Sequence, residues 1–210
     1  MDSRTIQSYF KPDYKPLHPE LPRFIHFDQS ITGDEAGVAC SYAEILDRTD
    51  DGTITKKITT EWMIRIVPPK KPEQIDLKKM RSVVYYLRDV LHLTIGCITF
   101  DSYASEEAIQ SLQQDGFNVK LKSLDRDDKA YTDVMQLYYQ ELFKHPDHPR
   151  YKQELFGLVH YRDKHKVDHL SDSDKGVTDA VIGSAHSALI EQDIFSSLRA
   201  KDSESILNLL

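Results

Sequence analysis

The chain has 210 residues, 40% of them hydrophobic and 29% charged, with a formal net charge of −7. That length supports one domain with a substantial core, and no apolar run approaches the ~20 residues needed to span a bilayer. The acidic balance excludes a protein that binds nucleic acid through its global field, so any such binding must use local basic patches or bound cations.

In chain order, residues 1–21 ("MDSRTIQSYFKPDYKPLHPEL") are rich in Pro, Lys and polar residues and read as an arm or linker. They lack a basic stretch followed by an apolar one, so no secretory signal is expected. The globular domain is expected over 22–192, with a tail over 193–210. "RFIHFD" predicts a first strand ending on Asp28. "GVACSYAEILD" alternates as a second strand, and Asp51-Gly52 supplies hairpin chemistry before a Thr- and Ile-rich third strand, "TITKKITTEWMIRIV". Ile75, Met80, Val83, Val84, Leu87, Val90 and Leu91 recur at helical spacing. A fourth strand, "LTIGCITFD", ends on Asp101, and a helix follows near 104–115. "FNVKLKSL" predicts a short strand, and "DDKAYTDVMQLYYQELFKH" an amphipathic helix. "PRYKQELFGLVHY" predicts a shorter helix, "KHKVDHL" an extended segment, and "KGVTDAVIGSAHSALIEQ" a last helix carrying Asp179. Cys40 and Cys97 fall in strands and read as reduced core residues.

The pattern predicts an α/β fold, a mixed sheet with helices on its faces. A helical crossover between the third and fourth strands lets the first and fourth lie parallel and adjacent. Asp28 and Asp101 then meet at one edge. Asp179 is followed by Ala180, Val181, Ile182 and Gly183, whose small side chains let its helix approach the sheet closely. Three convergent carboxylates repel unless cations neutralise them, and hard oxygen ligands select Mg²⁺ or Mn²⁺. Two such ions roughly 4 Å apart serve phosphodiester hydrolysis.

Each acid has a plainer reading. Asp28 could satisfy turn amides, and Asp179 could be a solvated helix residue paired with Lys175 at i−4. His165 and His169 stand at i and i+4, but without a Cys or a third His they make a poor zinc site. Tyr85, Tyr86, Tyr138 and Tyr139 read as core and rim residues of amphipathic helices. Lys56 and Lys57, on the hairpin of strands two and three, are the basic pair chosen as a candidate DNA-backbone contact.

The sequence "RFIHFDQSITGDEAGVA", then "ITFDSYAS" and "AIQSLQQDGFNV", then "KVDH" and "KGVTDAVIGSAHSA", resembles the nuclease domain of the large terminase subunit of tailed phages and herpesviruses. The resemblance spans about residues 22–190. It implies a ribonuclease H-like fold with a mixed sheet of five or slightly more strands and helices on both faces. It also implies a metal-dependent endonuclease that cuts concatemeric viral DNA during genome packaging with two Mg²⁺ or Mn²⁺ ions. Asp28, Asp101 and Asp179 match the family's catalytic metal ligands. Lys175 matches the Lys of the final motif and is implied to contact a phosphate or order the carboxylates. Asp34, Asp168, His169, Asp172 and Asp174 lie where relatives place accessory groups. The implied partners are double-stranded DNA, a terminase ATPase domain, a small terminase subunit and a portal protein, in the cytoplasm of a phage-infected host and away from membranes. The chain has no G-x-x-x-x-G-K-[ST] motif. The resemblance therefore implies an excised or separately encoded nuclease. A Holliday-junction resolvase or transposase-like enzyme of the same fold, and a non-catalytic DNA or portal docking module, are the alternatives.

Overall fold

A computed structural model describes residues 14–29, 35–67, 73, 75–101, 106–169 and 176–207, with side chains up to 197. The first strand, β1 (Arg23–Asp28), pairs antiparallel with β2 (Ala36–Arg48), which pairs antiparallel with β3 (Ile54–Ile66). The turn joining β2 and β3 contains Gly52 at a φ of 87°, where Asp-Gly chemistry predicted a hairpin. Helix α1 (Leu77–Tyr85) follows and runs into a π-turn, Tyr86–Val90. Asp76 caps α1 by accepting from the Lys78 and Lys79 amides. The chain returns as β4 (Ile95–Phe100), parallel to β1. Then come α2 (Glu106–Gln114), β5 (Val119–Leu121), α3 (Lys129–Tyr139) and β6 (Phe143–Lys144). The order across the six-stranded sheet is β5-β4-β1-β2-β3-β6. This is the mixed sheet expected, with the two-residue β6 added at an edge.

The strand alternation sorts the core into two layers. Ile25, Phe27, Ile98 and Phe100 point to one face, where Val84 and Leu87 pack from α1 and the π-turn. Phe24, Ala39 and Cys97 point to the other, against α3 and the last helix, α5 (Gly176–Leu207). Phe27 and Phe100 stack with ring centroids 4.9 Å apart across the parallel pair. Helix α5 can approach closely because its sheet-facing residues are small. A Cβ on Gly183 would lie 2.3 Å from the His26 ring, and one on Gly37 would lie 1.9 Å from the Gly176 carbonyl oxygen.

Residues 14–21, the described end of the expected arm or linker, are tied to the sheet by hydrogen bonds. The Arg23 guanidinium is fully buried and donates to Glu61 (2.8 Å) and to the carbonyls of Leu17, His18 and Leu21. The helix predicted over "PRYKQELFGLVHY" stops early: α4 covers Pro149–Phe156, with Gly157 as its C-cap. Leu158–Tyr161 is instead strand β7, paired antiparallel with β8 (Lys166–His169) in a ribbon outside the main sheet. The tail expected over 193–210 is helical as far as Leu207, as the continuation of α5. Among the described residues, no helix is long and apolar enough to cross a membrane.

Candidate active site

The site is built by register. Phe27 pairs with Phe100, and the Asp101 amide donates to the Phe27 carbonyl at 3.3 Å. Asp28 and Asp101 therefore leave two adjacent parallel strands at the same level. Their direction follows from the residues two positions earlier, since side chains alternate along a strand. His26 Nδ1 and Thr99 Oγ1 meet at 2.8 Å on the face covered by α5. Gly183 of α5 lies over the His26 ring, and Ser187 Oγ lies 3.4 Å from Thr99 Oγ1. Asp28 and Asp101 share that face. Asp28 Oδ2 lies 3.3 Å from where a Gly176 Cβ would stand, so the first turn of α5 abuts the first carboxylate. Asp179 sits in that turn and is 2% exposed, which excludes the solvated-helix reading.

The carboxylates are held by protein donors. Leu124 N–H donates to Asp101 Oδ1 at 2.7 Å, and the buried Tyr131 hydroxyl donates to Asp179 Oδ1. Burial first, and then the charges of Asp179, Asp28 and Asp125, push the Tyr131 phenol well above its ordinary range. The acids acting on this one buried oxygen come from β1, from α5 and from the segment after β5. Asp125 and Tyr131 were missed from sequence. The available signal was that β5 is a third parallel strand, so the acids following it emerge at the same edge.

The first turn of α5 is clamped. Glu154 of α4 is 3% exposed. Its Oε2 accepts from the buried Thr178 amide at 2.8 Å, and its Oε1 accepts from Arg150 Nε at 2.9 Å. Arg150 also reaches Glu35 at 3.2 Å, and Arg65 binds the same carboxylate. The clamp joins α4, β3 and the entrance to β2 around the turn that carries Asp179.

Asp34, Asp172, Asp174 and Lys175 lie outside the described residues. His169, in β8, has its Nδ1 3.1 Å from Asp168 Oδ1. Asp168 pairs with Lys166 at 2.7 Å. His165 is 81% exposed in a left-handed turn with φ 47° and stands apart from a zinc-type pair. Lys56 is no surface cation: it is 6% exposed, and its Nζ donates to the Leu189 carbonyl (2.5 Å) and Asp193 (2.6 Å) on α5. Lys57 is partly exposed, 3.6 Å from Glu44.

Among the described residues, no three His, Cys, Asp or Glu side chains are grouped to hold a metal ion, and one oxygen each of Asp101 and Asp179 is engaged by a protein donor. The donors on offer, Asp28, Asp101 and Asp179, are all carboxylate oxygens, the chemistry that suits a hard divalent cation.

No protein-family model matches the chain, and no curated protein matches it. Solved structures do. The large terminase of one thermophilic bacteriophage superposes with a TM-score of 0.60 at 13% identity, over 83% of this chain and 41% of that one. The chain thus spans less than half the length of that protein. The large terminase nuclease of the thermophilic phage G20c gives 0.56 at 12% identity, covering 82% of this chain and 85% of that one. The G20c nuclease with bound magnesium gives 0.53 at 14%, covering 83% and 84%. At such low identity the likeness speaks to architecture. The chain has the ribonuclease H-like fold of large-terminase nuclease domains.

Proposed function

We propose that this chain is a divalent-metal-dependent endodeoxyribonuclease of a viral genome-packaging terminase. The observation that carries the reading is that Asp28 and Asp101 stand at the ends of two adjacent parallel strands at one level, while Asp179 is buried in the first turn of the helix that abuts Asp28. The likeness to a nuclease that binds magnesium supports it.

Asp28, Asp101 and Asp179 would hold the cations. Bound there, two Mg²⁺ or Mn²⁺ ions would supply an activated water and neutralise charge on the leaving oxygen. The chain's own residues set the geometry. Leu124 N–H fixes one Asp101 oxygen and so aims the other. The Tyr131 hydroxyl keeps its proton and orients Asp179. Glu154 holds the helical turn from which Asp179 projects. A cation held by these carboxylates would lower the pKa of the attacking water, so no His base would be required. The acid cluster repels DNA until cations occupy it, so cleavage should need metal both to bind the scissile phosphate and to react. The working partners would be double-stranded DNA, the terminase ATPase, the small subunit and the portal, in the host cytoplasm. Asp34, Asp172, Asp174 and Lys175 would complete the site from the flanking segments. His169 would sit at its border, and Lys57 would be the member of the lysine pair left for phosphate.

The test is cleavage of supercoiled plasmid with Mn²⁺, Mg²⁺ or EDTA, beside folded Asp28→Asn, Asp101→Asn and Asp179→Asn variants. Mn²⁺ binding is titrated calorimetrically on the same proteins. Metal-dependent nicking lost in all three variants, with weakened Mn²⁺ binding, is expected. Cleavage that survives all three substitutions would place the chemistry elsewhere.

A further inference from the structure

Beside the carboxylates lies a second feature that the hydrolytic chemistry does not use. A cavity of about 510 Å³ opens between α3, α4 and the β7–β8 ribbon. Its size falls in the range of small-molecule sites. Tyr131, Leu155 and Val167 are among the residues lining it. Tyr139 and Phe156 also line it, yet Tyr139 is 78% and Phe156 85% exposed. Two large rings left in water at one concavity are not scattered surface residues, and grouped exposed apolar area marks a contact surface. The rim carries Arg162, which lines the cavity, and His160, which is 2.7 Å from Asp128 Oδ2; Lys164 follows two residues after Arg162 in the turn between the ribbon strands, its Nζ 5.6 Å from the centre of the Tyr161 ring. On a chain with a formal net charge of −7 these cations stand out. The cavity shares a wall with the acid site, because the Tyr131 side chain that lines it carries the hydroxyl bound to Asp179.

We propose that this groove takes an unpaired nucleobase, stacked against Phe156 and Tyr139, with Arg162 and Lys164 receiving the flanking phosphates. The inference rests on the nuclease reading of the neighbouring acids and adds to it a substrate feature, a locally single-stranded or frayed strand. Exposed rings beside cations are what sequence-tolerant binding of single strands requires, since every base presents a flat face. A groove for an apolar protein segment would not need cations at its rim.

The experiment uses the full chain in EDTA, so that binding is read without cleavage. Affinities for a short single-stranded oligonucleotide and for the blunt duplex of the same sequence are measured by fluorescence polarisation. A 5-iodouracil-substituted strand is photocrosslinked and the crosslinked peptides are identified by mass. The single strand should bind more tightly, with crosslinks at Tyr139 or Phe156. Substituting both, as Tyr139→Ala with Phe156→Ala, should weaken single-strand binding by about tenfold or more while duplex binding stays within about twofold. Both side chains are largely exposed, so the variant should fold, and a circular-dichroism melt checks that. Equal affinity for both DNA forms, crosslinks confined elsewhere, or single-strand binding indifferent to the substitutions would each overturn the proposal. If the variant instead lost only self-association or binding to a protein, the groove would be a protein contact and the proposal would be wrong. The two readings fail separately. Crosslinking at the rings without metal-dependent plasmid cleavage would sink the nuclease. Cleavage without ring crosslinks would sink the groove.

Discussion

Replacing Glu154 separates two roles of one buried carboxylate. Glu154 accepts from the Thr178 amide in the first turn of α5, and Thr178 is fully buried. Glu154→Ala leaves that N–H without its acceptor, at about 1–3 kcal/mol, and removes one of two carboxylates from Arg150. A loss of about 2–3 kcal/mol should lower Tm by about 5–10 °C for a domain of this size. The charge itself is a different matter. Burial raises the Glu154 pKa, with the Thr178 and Arg150 hydrogen bonds opposing. A carboxyl whose folded pKa lies above its unfolded one favours folding most below the unfolded value and loses that advantage as pH rises through the folded value. Ionisation therefore works against the fold. Glu154→Gln, which keeps an acceptor for Thr178 without the charge, should cost under about 1 kcal/mol. Thermal melts and Mn²⁺ calorimetry at pH 7 make the comparison. The Ala variant should lose both stability and Mn²⁺ affinity, because the turn carrying Asp179 is released, and the Gln variant should largely restore both. An Ala variant that melts with the wild type and binds Mn²⁺ equally well would refute the clamp.

Gly183→Ala would put a methyl 2.3 Å from the buried His26 ring. It should cost about 1–3 kcal/mol in urea unfolding and, by lifting α5, reduce cleavage. His186 is buried against Asp133, and burial, with the nearby Lys122 charge adding to it, depresses its pKa from 6.5 to about 4. Between those values the unfolded state binds more protons, so stability should fall by up to about 3 kcal/mol as pH drops from 6.5 towards 4. Urea titrations across that range should show the slope, and His186→Gln should flatten it. Lys56→Met removes a cation that serves α5, so it should lower Tm and leave the salt dependence of DNA binding unchanged. A shallower salt slope would return Lys56 to the DNA surface.

The parallel pairing of the first and fourth strands was legible because the long amphipathic stretch between them forces a crossover, and Phe-Asp ends both. The close approach of α5 to the sheet was legible because Ala180 and Gly183 make sense only under close packing. The β7 strand was not. Leu158–Tyr161 follows a helix without a Pro, and only Gly157 marks the stop; its partner strand lies beyond a three-residue 3₁₀ turn that no period reveals. Lys56 was misread because a lysine on an alternating strand looks solvated until a helix carrying Asp193 is laid across it. Tyr131 and Glu154 carry no motif. Their roles come from which elements the fold sets beside α5.

Arg23 and Glu61 have a bearing on how this domain can drift. The arginine is wholly buried and the glutamate side chain is 2% exposed, and the arginine also ties down the Leu17, His18 and Leu21 carbonyls. Changing either partner alone strands a buried charge, at about 3–5 kcal/mol, a large share of the ~5–15 kcal/mol that holds a typical domain together. Single substitutions at these positions are closed to neutral evolution. Lineages of this protein should therefore keep both residues or exchange both together, with the path between them crossing an unstable intermediate.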